Sequence, residues 1–118
     1  MAEKTEQTKE EKIKKEISRL KKNFRSLDGN KLRIVSSLIE RAAFLSVSLS
    51  ELEEIINTTG YTEEYQNGEN QNGVKQSESV KIHISMTKNL ATIIGQLARL
   101  CPPEERKESK LLALMRGE

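Results

Sequence analysis

The chain has 118 residues, of which 35% are hydrophobic, 32% charged and 3% aromatic, with a formal net charge of +2. A chain of this length forms one domain, and this composition gives it a lean core, for which oligomerisation is a natural way to bury more surface. No run approaches the roughly eighteen apolar residues of a membrane span, the start MAEKTEQTKEEK lacks a secretory signal's apolar core, and the single Cys101 excludes an internal disulfide, so the expectation is a soluble, intracellular protein without a membrane contact.

The charge is unevenly distributed. Residues 1–27 carry nine Lys/Arg against five Glu, whereas residues 51–69 carry six Glu and no Lys or Arg. A basic end beside an acidic middle points to a polyanionic partner for one face and complementary contacts for the other, or simply to solvated helix faces.

Residues 1–8 are polar and read as a disordered lead. From Lys9 to Leu27 the apolar positions Ile13, Ile17, Leu20, Phe24 and Leu27 recur in steps of four, three, four and three. That spacing predicts a helix with one narrow apolar stripe. Lys12, Lys14, Lys15, Arg19, Lys21, Lys22 and Arg25 occupy its other faces. Asp28-Gly29-Asn30 reads as a turn, with Asn30 as N-cap of a second helix from Lys31 to about Ser46. Leu32, Val35, Leu38, Ile39, Ala42 and Leu45 mark that helix's buried face. Val47 to Ser50 breaks the period, and Ser48 with Glu51 has the spacing of a capping box, so a short third helix is expected through Thr58, closed by Gly60. Two helices joined by a Ser-containing turn also resemble a helix-turn-helix, a weak signal alone.

Gly60 to Ser77, GYTEEYQNGENQNGVKQS, is the least typical stretch, with both tyrosines and three of the six glycines. It reads as a long polar loop held by Tyr61 and Tyr65, contributing to contacts between subunits. Ser77 then caps a helix reaching Cys101, stopped by Pro102-Pro103. This helix carries two apolar stripes, one through Met86, Leu90, Ile93, Leu97 and Leu100, the other through Val80, Ile84, Ala91, Ile94, Ala98 and Cys101. Two stripes imply cover on two sides, one by the chain's own core and one by a neighbouring subunit. Tyr61, Tyr65, Met86, Leu90, Ile93, Ile94 and Leu97 are therefore candidate oligomerisation residues. Residues 102–118 read as a tail or a short helix, with Leu111, Leu112, Leu114 and Met115 forming either a docking peptide or an extra core helix.

The fold class expected is all-α, with four to five helices, a long polar loop, and assembly through the long helix of the C-terminal half. Residues 9–101 form the helical domain. Catalytic chemistry is not legible. One His and one Cys supply no metal set from those ligands, and His83 reads as a helix-face residue. QNGENQNG lacks the Lys-Ser/Thr of a phosphate loop, and no nucleophile faces a base. No cofactor, metal or enzymatic activity is expected.

The stretch GYTEEYQNGENQNGVKQS, followed by MTKN and an IIGQL helix ending at LCPP, resembles the short terminase small subunits of phages of Gram-positive bacteria. Gly60, Tyr61, Tyr65, Gln66, Asn67, Gly68, Asn70, Gln71, Gly73, Lys75 and Ser77 carry the likeness in the loop, and Met86, Lys88, Asn89, Ile93, Gln96 and Leu97 carry it in the helix. LIERAAF at 38–44 is similar as well, so the resemblance covers roughly residues 20–103. The chain departs from that family in having no aromatic residue near His83 or at Leu90. The resemblance implies a ring-like homo-oligomer in the cytoplasm of the infected bacterium. It would recognise double-stranded viral DNA and hand it to the large terminase subunit, doing no bond chemistry itself. The basic first helix, with Arg33 and Arg41 if the second helix faces DNA, supplies the candidate DNA contacts. A structural adaptor of the phage particle and a helix-turn-helix regulator are the alternatives.

Overall fold

The computed structural model describes residues 7–66, 68–69 and 71–102. Helix α1 spans Lys9–Lys21 and is extended by a 3-10 turn, Lys22–Phe24; α2 spans Gly29–Thr59; β1 (Thr62–Gln66) and β2 (Asn72–Gln76) form a hairpin; α3 spans Glu78–Leu100. The disordered lead expected before Lys9 and the C-terminal tail or helix expected after Cys101 fall, at residues 1–6 and 103–118, outside the described residues.

Local chemistry sets each boundary. Thr8 caps α1 by accepting a hydrogen bond from the Glu11 amide at 3.2 Å. Glu10 and Glu11 then sit in its first turn, with Arg19 and Lys21 in its last, as the helix dipole favours. The helix tightens after Lys21 instead of running to Leu27, and the Asn23 side-chain amide donates to the Leu20 carbonyl at 3.2 Å. Asp28, not Asn30, caps α2: its backbone is extended and its Oδ1 accepts from the Lys31 amide at 3.0 Å.

The expected break at Val47 to Ser50 does not occur, and α2 continues for 31 residues, about 46 Å of helix. No Gly or Pro interrupts it, and a serine inside a helix costs only about 0.5 kcal/mol relative to alanine. Val47, Ser48 and Leu49 are all buried, and that burial holds the helix through the weak spot. Ser50 donates its hydroxyl to the Ser46 carbonyl at 3.3 Å, four residues back, within the continuing helix. The helix-turn-helix reading at this place is overturned with the break. Gly60 ends the helix as expected: its φ of 84° is unfavourable for other residues, and its amide reaches the Ile56 carbonyl at 2.7 Å.

The polar loop is a further correction. It is a two-stranded antiparallel hairpin in which Thr62 faces Gln76, Glu64 faces Val74 and Tyr65 faces Gly73. Among the described residues the fold is therefore three α-helices, a 3-10 turn and a small sheet, not an all-α set of four to five helices. Tyr61 pins nothing, being 75% exposed. The hairpin is fastened to the helices by the Ser77 amide donating to the Tyr61 carbonyl at 2.9 Å. Ser77 also caps α3, accepting from the Val80 amide at 3.3 Å. The chain leaves α3 at an extended Cys101, the conformation that a following proline favours.

Lys9 meets Glu51 and Glu16 meets Ser46, so α1 runs antiparallel to α2. His83 meets Glu53, so α3 does the same. The core gathers Leu20, Phe24, Val35, Ile39, Ala42, Ile94, Leu97 and Cys101, at the end of the molecule where all three helices meet. Phe24 is its only aromatic residue; Phe44, Tyr61 and Tyr65 are exposed. Beyond Glu51 the last two turns of α2 and the first turns of α3, as far as about His83, continue past the start of α1 as a short two-helix arm, with the hairpin at its tip.

Candidate nucleic-acid interface

The apolar stripe of α1 decides what its solvent side displays. Ile13, Ile17, Leu20 and Phe24 turn toward α2 and α3, with Leu20 and Phe24 fully in the core. Lys12, Lys15 and Arg19 then fall on one line at steps of three and four along the edge toward Ser46 and Ser50 of α2, continued by Lys22. Lys14 and Lys21 fall on an adjacent line, continued by Arg25. Lys12, Lys14, Lys15, Lys21, Lys22 and Arg25 are all exposed. From Lys12 to Lys22 is about 15 Å of helix, over which B-DNA presents roughly nine phosphate charges at one per ~1.7 Å.

Arg19 is different. It is half-buried and its guanidinium is bonded to Glu16. The hydrogen bond to Glu16 raises the Arg19 pKa, with burial opposing and the Glu16 charge adding to it. Glu16 also accepts a hydrogen bond from the Ser46 hydroxyl at 3.4 Å, so Arg19 helps join α1 to α2. Arg33 and Arg41 lie exposed on α2, apart from the α1 lines. Arg41 is folded along its own helix, its Nη1 donating to the Ser37 hydroxyl at 2.7 Å and the Ser37 carbonyl at 3.2 Å.

The candidate oligomerisation residues are split by the fold. Ile94 and Leu97 are buried in the chain's own core, where a partner does not reach, and Leu90 and Ile93 pack against that core. Leu90 also lines a groove of about 330 Å³ between α1 and α3, floored by Ala42 of α2. Met86 is half-buried on α3. Tyr61 and Tyr65 remain open at the hairpin, Tyr61 the more so.

The arm also holds residues that sequence reasoning passed over. Ile55, Val74, Ile82 and Ile84 are exposed there. Lys75 lies 3.3 Å from both Glu63 and Glu78, and Lys81 lies 3.5 Å from Glu78. Hydrogen bonds to Glu78 and then to Glu63 raise the Lys75 pKa, and the bond from Lys75 is the largest influence lowering that of Glu78. His83 reaches Glu53 at 3.0 Å, bridging α3 to α2. Glu54, Glu64 and Glu69 are exposed and form no ion pair among the described residues. The run of six glutamates was the signal for this acidic arm; the outward stagger of its apolar residues needed the fold.

Among the described residues no group of three or more His, Cys, Asp and Glu is placed to hold a metal ion, and no helix is long and apolar enough to cross a membrane. No family model, curated protein or solved structure matches the chain.

Proposed function

We propose that this chain is a small terminase subunit, a non-catalytic, DNA-binding homo-oligomer, with a ring as its form. It recognises double-stranded viral DNA in the cytoplasm of the infected bacterium and recruits or regulates the large terminase subunit. The observation that carries the reading is the outer side of α1. Six cations stand there exposed, with no carboxylate bonded to them among the described residues. Such a surface neutralises phosphates in a salt-dependent way that is largely blind to sequence. Several copies in one assembly multiply a contact that is weak in a single copy. Arg33 and Arg41 are the further candidates for DNA contact.

A second reading, a structural adaptor of the phage particle without DNA recognition, draws on the exposed apolar residues of the arm, which suit assembly with or without DNA. The deciding measurement is binding to packaging-site DNA across a range of salt. Affinity should fall steeply with salt, and Lys14→Glu, Lys15→Glu, Lys21→Glu and Lys22→Glu together should abolish it. Absence of binding by the unaltered chain at low salt would sink the packaging reading and favour the adaptor.

A further inference from the structure

Resting on the oligomeric part of the proposed function, we infer that the acidic arm tip of one copy docks on the basic outer side of α1 of a second copy.

Charge complementarity within the one chain carries this. Of the six glutamates in residues 51–69, Glu51, Glu53 and Glu63 are taken by Lys9, His83 and Lys75. Glu54, Glu64 and Glu69 are left with no ion pair among the described residues. The opposite surplus stands on α1, in its exposed lysines and Arg25. Among the described residues the two surpluses form no ion pair with each other. Helix α1 starts level with Glu51, where Lys9 makes its contact with the acidic segment. From there the arm rises past the start of α1; Lys12 and Lys15 border Ser46 and Ser50 of α2, whereas Lys14 and Lys22 stand on the side open to solvent. A second copy presents the complement of each surface.

Apolar contact accompanies the charge. The hairpin has two strands and no sheet to lean on, so its faces stay open, and such a unit is marginal alone in water. Val74 is 66% exposed and lies directly across from Glu64, so an apolar and an acidic side chain share one hairpin face. Tyr61 stands open at the base of the hairpin. The chain already shows how a lysine of α1 meets such a surface: Lys9 Nζ lies 2.9 Å from Glu51 and 4.7 Å from the centre of the Phe44 ring. A carboxylate beside an aromatic ring gives a lysine both an ion pair and a cation–π contact. Glu64 offers a neighbour's lysine the ion-pair half of that contact, with Val74 beside it to cover the lysine's methylene stem.

The two surfaces are different parts of the chain, so the contact is heterologous. Repeated from copy to copy it closes into a ring or extends as a filament.

The test uses full-length chains and sedimentation velocity at about 50 mM and about 1 M salt, where screening lengths differ severalfold. One variant carries Glu54→Lys, Glu64→Lys and Glu69→Lys; the other carries Lys14→Glu, Lys15→Glu and Lys22→Glu. The unaltered chain should assemble at low salt and dissociate at high salt. Each variant alone should sediment as a monomer with unchanged helical circular dichroism. An equimolar mixture should regain the assembled mass, because each reversed surface then meets its complement. Recovery by mixing excludes misfolding as the reason for the single failures. A monomeric unaltered chain at low salt, an arm variant that assembles normally, or a mixture that stays monomeric overturns the inference. DNA binding is read on the same samples. An unaltered chain that assembles at low salt, loses assembly in each variant and regains it on mixing, yet binds no DNA, sinks the packaging reading and leaves the docking surface standing.

Discussion

The ring of Tyr65 lies across the backbone of Gly73, its cross-strand partner: a Cβ built on Gly73 would stand 2.5 Å from the Tyr65 hydroxyl oxygen. Glycine is needed here for space. An aromatic side chain covering a glycine on the opposite strand is a recognised way of pinning register.

Gly73→Ala should therefore displace the Tyr65 ring. Because that ring is already 39% exposed, it can swing outward, and the cost is local. A loss of about 1 kcal/mol or less is expected, the size of one cross-strand pair. Amide exchange over residues 62–76 should quicken while the helical signal stays constant. Global unfolding by this substitution would mean that the hairpin supports the helices, contrary to its position at the arm tip.

The core and the open surface should respond differently to truncation. Leu97 and Ile39 are fully buried where the three helices meet. Leu97→Ala should cost about 2–5 kcal/mol through lost burial and a residual cavity, enough to unfold much of a domain with so lean a core. Tyr61→Ala should leave the melting temperature within error, since its ring stands in solvent. Denaturant titration of the two variants, each held at a concentration where it is monomeric, checks this pair.

Ser48 is buried in α2, and its hydroxyl has no hydrogen-bond partner among the described residues. Ser48→Ala removes that orphaned group, whose desolvation costs about 1–3 kcal/mol, and supplies a better helix former. The substitution should raise the melting temperature. A fall would mean that the hydroxyl holds a water or another partner important to the arm.

The clasp of Lys75 with Glu63 and Glu78 gives the hairpin a pH dependence of known sign. Glu78 has a lowered pKa in the folded chain. Its contribution is therefore present above the ordinary glutamate value, about 4.3, and is lost as pH falls through the folded one. Lys75 has a raised pKa, so its contribution is full below about 10.4 and is lost as pH rises through the folded value. The clasp is closed at neutral pH. Acidification to about pH 3 should shift the NMR signals of residues 62–76 toward coil values, and Lys75→Met should remove most of that pH response. An unchanged acid titration in the variant would assign the effect to other carboxylates.

Much of this fold is legible in the sequence, and the misses have physical causes. The stripe Ile13, Ile17, Leu20 and Phe24 predicts both α1 and its buried side, because period and burial agree there. Gly60 and Ser77 are found from backbone rules that act locally. The hairpin is missed because its strands carry Glu, Gln, Asn and Lys with both faces in water, which erases the alternation that marks a half-buried strand; the two Asn-Gly pairs are the remaining turn signal. The break at Val47 to Ser50 is misread because a capping box and a mid-helix serine look alike until burial chooses between them.

The candidate DNA surface is legible for the same reason as α1: once the apolar stripe is inward, the lysines have nowhere to go but out. Arg19 is the exception, since only the approach of α2 shows that Glu16 holds it and that Ser46 holds Glu16. The assembly residues divide likewise, Ile94 and Leu97 turning inward and Tyr61 outward.

The sequence by itself determined the buried side of α1, the stop at Gly60, the cap at Ser77, and the opposition of a basic end to an acidic middle. These follow from periodicity, side-chain chemistry and charge, which act over a few residues. Only the tertiary structure decided that α2 runs unbroken, that the acidic segment after Glu51 rises as an arm past the start of α1, and which apolar residues are left for a partner. Those depend on which distant residues meet, and burial among them outweighs local preferences of a few tenths of a kcal/mol.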